Sequence, residues 1–254
     1  AGRNEPTEPA PVETILELSF YQPGDLDWLS YFSNAPVTPE DIFMDGLIRF
    51  SDAKISGGSI LYDIRADMVV HTRVRNSPEG PGYLTSLGFD IPESRNGENA
   101  YFQIGSQPGS PYIIEAVIIE DTYGNGKAGQ IKTQGSAILN RGQWVDMIFY
   151  IPKHGTSMYF FIADADNDTD IVYTSVSFTE DWLTEAWEFG VESVFDFGVE
   201  NQFVDVDSIT VAYGPIKSYL YHNIPAYLVH QERMDEFFTL PPSDLPELEL
   251  TRRN

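Results

Sequence analysis

Residues 164–170 read DADNDTD, with aspartates on alternate positions between the apolar runs MYFFIA and IVYTSVSF. Carboxylates crowded this closely repel one another, and a bound Ca²⁺ with several oxygen ligands would relieve that repulsion. Asp164, Asp166 and Asp168 are therefore the candidate calcium ligands. An EF-hand loop would place Gly at the sixth position and Glu at the twelfth, where Thr169 and Ser175 stand. Asn167 and Asp168 tolerate left-handed dihedrals, so the tip of a β-hairpin is the favoured reading of the segment and calcium the alternative.

The second candidate is VVHTRVR, where strict alternation puts Val70, Thr72 and Val74 on one side of a strand and His71, Arg73 and Arg75 on the other. This reads as one core face and one solvated face. On so acidic a chain the basic stripe also suits docking of an acidic sugar or of another copy's acidic surface. Trp182 and Trp187 in TEDWLTEAWEFG, with Tyr83, Tyr101, Tyr112 and Tyr123 near loops, are candidate platforms for sugar rings, although most aromatics in such folds are core. Trp144, after a turn and at the head of an apolar strand, is expected in the core. The histidines lack zinc spacing, and no phosphate loop or nucleophile elbow occurs.

The elements that must position these residues follow from composition and punctuation. The chain has 254 residues and 42% apolar content, enough for a large core. With 39 acidic against 15 basic residues it carries a net charge of −24, which disfavours nucleic acid and anionic membranes as partners. No Cys occurs, which excludes disulfides and thiolate chemistry. No apolar run approaches the roughly 18 residues of a membrane-spanning helix, so no membrane insertion is expected. The opening AGRNEPTEPAPVE reads like the terminus left by signal-peptide removal, which leads to an expectation of secretion or cell-surface display.

Three zones follow. Residues 1–45 form a proline-rich arm, a strand at VETILELSF that is a candidate for exchange between copies, and a loop with a helical turn after Thr38. Residues 46–214 alternate β-branched or aromatic segments with turn clusters such as SGG, SRNGEN and YGNGKAG, the pattern of an antiparallel sandwich. Residues 215–254 form an extension with a short amphipathic helix in AYLVHQERMDEFF, its stripe being Tyr227, Leu228, Gln231, Met234 and Phe238, and then a proline-rich tail.

The order VVHTRVRNSP, GYLTSLGFDI, NAYFQIGS, NRGQWVDMIFYI, SMYFFIADADNDTDIVYTSVSF and FVDVDSITVAYG resembles the concanavalin A-like, laminin G-like jelly roll over residues 46–214. The resemblance implies an all-β antiparallel sandwich, and its members include lectins, carbohydrate-binding modules, adhesion domains, glycoside hydrolases and polysaccharide lyases. Retaining hydrolases of that fold carry EXDXXE or EXDXE on one strand, because alternate carboxylates share a face at the separation the reaction needs. No such string occurs; Glu115 and Glu120 fall on opposite faces, and Glu188 with Glu192 frames a plain strand. An enzyme is therefore the least favoured reading. The arm and extension are surplus to one sandwich, and segments such as VETILELSF or LPELEL could add to a neighbour's sheet. The leading expectation is a non-enzymatic extracellular structural subunit that self-assembles with other copies, and the runner-up is a lectin-like module binding polysaccharide or glycan.

Overall fold

The computed structural model describes residues 8–21, 46–51, 56–62, 67–76, 83–90, 98–106, 113–122, 139–140, 142–153, 157–165, 171–177, 191–197 and 203–239. Thirteen strands occur among the described residues. They are β1 (Glu13–Leu18), β2 (Ile48–Ser51), β3 (Ser56–Tyr62), β4 (Met68–Asn76), β5 (Tyr83–Asp90), β6 (Glu98–Ser106) and β7 (Ile113–Thr122). There follow β8 (Leu139–Asn140), β9 (Trp144–Ile151), β10 (Ser157–Asp164), β11 (Ile171–Ser177), β12 (Val191–Phe197) and β13 (Phe203–Tyr213). Two helices close the described chain, α1 (Ile216–Asn223) and α2 (Pro225–Thr239).

All strand pairings are antiparallel and form two sheets. The first has seven strands in the order β1-β13-β4-β9-β10-β11, with β2 also on β13; the second has six, in the order β3-β12-β5-β6-β7-β8. Strand β13 carries β4 on one side; on the other it carries β2 along Phe203–Val206 and β1 along Ile209–Tyr213. The chain is an antiparallel β-sandwich, the jelly-roll architecture that the strand order led one to expect.

The alternation in β4 reports the layers. Met68, Val70, Thr72 and Val74 are fully buried with Val145, Met147, Phe149, Val204, Val206, Ile209 and Val211, which makes this the face between the sheets. The other face of the first sheet is covered rather than wet over much of its area. Val69, Ile148, Tyr150, Phe161, Ala163, Ile171 and Ala212 form one cluster with Ile216, Tyr219, Leu220, Ile224, Ala226, Tyr227 and Met234 of the closing segment. The first sheet is thus the middle of three layers, and the C-terminal extension is part of the fold's apolar core.

The extension turns onto the sheet at Gly214, whose φ of +148° is open to glycine and whose added Cβ would meet the Val12 side chain at 2.8 Å. Its N–H donates to the Asp67 carbonyl, 3.1 Å away. Pro225 opens α2, where its missing N–H costs nothing. Leu228 was expected on the buried stripe, yet it and Val229 are about half exposed, at 48% and 56%. Tyr227, Met234 and Phe238 keep one stripe across the kink at His230 (φ −112°, ψ 16°), whereas Leu228 lies about 100° round the helix from Tyr227 and so falls off it. Helix α1 was not anticipated. Its apolar residues Ile216, Tyr219 and Leu220 form only one turn's contact, too short a period to stand out in the sequence.

The N-terminal segment also returns to this layer. Strand β1, considered for exchange between copies, pairs with β13 of its own chain, with a bulge at Ile15. Ahead of it the Pro9 carbonyl accepts a hydrogen bond from His222 Nε2 of α1 at 2.8 Å. The turn after Thr38 and the segment LPELEL lie outside the described residues.

Candidate functional site: a charged array on one sheet and a polar face on the other

The cross-strand register of the first sheet sets Asp205 (β13) opposite both Arg49 (β2) and Arg75 (β4), and Arg75 opposite Trp144 (β9). Asp205 has no exposed side-chain surface, so its charge must be met inside the fold. Arg49 meets it side-on, Nε donating to Oδ1 at 2.7 Å and a terminal amino group to Oδ2 at 3.0 Å. Arg75 donates to Oδ2 from Nε at 3.2 Å and from a terminal amino group at 2.8 Å. Its guanidinium carbon lies 4.6 Å from the Trp144 ring centre, in cation–π contact. The hydrogen bond from Arg49 to Asp205 holds the Arg49 guanidinium above its ordinary pKa range. Trp144, expected in the core, is only partly buried and carries this arginine instead.

One register step along, Arg73 lies opposite Asp146 of β9. Asp146 is 1% exposed, and Arg73 donates to it through Nε at 2.8 Å and a terminal amino group at 3.3 Å. His71 Nε2 donates to the same carboxylate at 2.7 Å, and His71 Nδ1 lies 2.8 Å from the Tyr219 hydroxyl of α1. Burial alone would raise the Asp146 pKa; the charge and hydrogen bond of His71, then those of Arg73, outweigh it and hold the carboxyl below its ordinary range. Burial pushes the Tyr219 phenol up, so it stays a neutral hydrogen-bonding group.

The residues His71, Arg73 and Arg75 are thus brought together on one side of β4, as alternation required, but with different surroundings. His71 is buried and bridges sheet to helix α1, whereas Arg49, Arg73 and Arg75 have side chains 31%, 34% and 33% exposed. The sequence reading missed Asp146 and Asp205. A signal existed in WVDMIFYI and FVDVDSI, each a carboxylate inside an apolar strand, which demands a cationic partner on a neighbouring strand.

The second sheet shows a division that appears only with its register. Leu87, Phe89, Phe102, Ile104, Phe195 and Phe197 share one parity of the register. The other parity mixes polar residues with Leu61, Val117, Ile119 and Val194. Glu192 lies opposite Asp90, and continuing the register sets Asp90 level with Asn99, itself opposite Asp121. Two positions along, Val194, Gly88 and Tyr101 stand in one row, and beyond them Asp196, Ser86 and Gln103. A search for carboxylates along one strand could not find these rows, because each strand contributes one residue per row.

As for the remaining candidates, β10 and β11 pair as a hairpin, with Ala163 opposite Ile171. Asp164 ends β10 opposite Val145, while Asp166, Asp168, Trp182 and Trp187 lie outside the described residues. Among the described residues no group of three or more metal-ligating side chains is gathered. None of the described helices is long and apolar enough to cross a membrane.

Two stacked antiparallel sheets in this order make a jelly-roll β-sandwich, and comparison with solved structures shows the same fold. The chain is similar over 80% of its length to a structure from a study of endo-acting O-glycanases with which members of the human gut microbiota initiate mucin breakdown (TM-score 0.55, 12% identity, 100% of that chain). It is likewise similar to the CBM2 module of the evolved Dit of Lactobacillus casei BL23 phage J-1 (TM-score 0.52, 12% identity, 80% of this chain and 96% of that one). A third likeness is to peanut lectin (TM-score 0.52, 10% identity, 80% of this chain and 98% of that one). At such identities the likeness is one of fold. No protein-family model and no curated protein matches the chain.

Proposed function

We propose that the protein is a non-enzymatic carbohydrate-binding module that takes glycan on the polar parity of its six-stranded sheet. The observation that carries this reading is the register placing Tyr101 and Gln103 of β6 opposite Gly88 and Ser86 of β5, with Asn99 and Asp90 one step beyond its last pair. Amides and carboxylates match sugar hydroxyls as donors and acceptors, and tyrosine is a residue type that stacks on sugar rings. The names of the similar structures, a lectin, a carbohydrate-binding module and work on mucin glycanases, support the same reading.

The test is a glycan array followed by calorimetry on Tyr101→Ala and on the double variant Asn99→Ala/Gln103→Ala. Retained glycans should lose at least about tenfold in affinity, about 1.4 kcal/mol, with an unchanged melting temperature. Retention of no neutral or acidic glycan by the natural sequence ends the proposal, and release of reducing sugar from a bound polysaccharide would restore the enzyme reading.

Self-assembly is the second reading, favoured by exposed Ile15 on the edge strand β1 and exposed Leu228 and Val229 on α2. It ranks second because the described parts of both ends lie on their own sandwich, and a bulge at Ile15 disrupts the edge that strand addition would use.

A further inference from the structure

We infer that Arg49, Arg73 and Arg75, with Trp144, form a second binding surface that takes a carboxylate-bearing sugar on the other sheet of the sandwich. The inference deepens the carbohydrate-binding reading by naming a ligand class, and uses none of the residues of the polar face.

Arg49, Arg73 and Arg75 stand over Asp146 and Asp205, and the layering of the array carries the argument. Asp146 and Asp205 are buried, whereas each arginine is about one-third exposed, so the array turns cations to solvent. The side-on pairing fixes the plane of each guanidinium, and the Trp144 ring fixes that of Arg75 from its other side. Arg75 uses Nε and one terminal amino group on Asp205. Its second terminal amino group donates to nothing among the described residues. A cation held in place loses little rotamer freedom on binding, and a planar fork matches a carboxylate.

The rest of the molecule limits the ligand's charge. At −24 the chain repels anions at long range, so a polyanion would be opposed along most of its length. A sugar with a single carboxylate meets only the local field, since at 0.15 M salt the Debye length is about 8 Å. The observations therefore favour an isolated uronic acid residue over a densely sulfated chain.

The probe is a disaccharide with one glucuronate, compared with its methyl ester, which keeps the ring and removes the charge. Side-chain Nε–H resonances of the arginines in the full chain are followed at about 0.15 M salt. The acid should shift the Arg75 resonance and bind about tenfold or more tightly than the ester. Arg75→Gln, which leaves Asp205 paired with Arg49, should abolish that preference, while Tyr101→Ala leaves it intact. Equal binding of acid and ester, or no shift at Arg75, overturns the inference even if neutral glycans bind the polar face. A shift at Arg75 with no neutral glycan bound keeps it and removes the polar-face reading instead.

Discussion

Asp205 sits with no solvent contact between two arginines from different strands, and that doubling predicts a characteristic energetics. Removing Arg49 or Arg75 alone leaves the carboxylate one partner, and each change should cost about 1 kcal/mol. Removing both strands a buried charge, for which about 3–5 kcal/mol is expected. A double-mutant cycle by urea denaturation should therefore show Arg49→Ala and Arg75→Ala to be more than additive. Additive costs would mean that Asp205 has another route to solvation. Asp146 gives a pH prediction. Its folded pKa is depressed by His71 and Arg73, so its contribution is complete above the unfolded value of about 3.9 and is lost as pH falls through the folded value. Asp146→Asn should flatten the acid limb of stability against pH below about 4, measured by denaturant midpoints.

The closing helices act at the next scale. Tyr227 and Met234 are buried in one cluster with Ile148, Tyr150 and Phe161 of the sheet, and Tyr219 and Arg233 attach the pair to it through His71 and the Ile171 carbonyl. Met234→Ala should lower stability by about 2–5 kcal/mol, as a cavity in a packed core does. Truncation after Gly214 should give insoluble or dye-binding protein, because it bares the outer apolar face of the first sheet. Folded, monomeric truncated protein would show that the sandwich stands without its third layer. These helices also mark where the sequence stops being legible. Val70, Thr72 and Val74 announced a buried parity because alternation is a local property, and the strand identities followed from it. His71 read as solvated because nothing local to VVHTRVR reports a helix contributed from 148 residues away. The rows formed by Glu192, Asp90 and Asn99 were hidden for the same reason, since register belongs to pairs of strands.

For the whole molecule, the prediction is a monomer in sizing experiments at physiological salt, with oligomers or filaments favouring the self-assembly reading instead. The two proposed surfaces belong to different sheets, so substitutions on one should combine independently with substitutions on the other. Residues 8–12 run beside α1, and α2 leaves the described chain on that same outer layer. If residue 8 or residue 239 were held to a matrix, a cell wall or a partner domain, the attachment would fall on the layer of the seven-stranded sheet and its helices, not on the six-stranded sheet. A label placed at residue 8 or residue 239 should then leave sugar capture by the six-stranded sheet undisturbed.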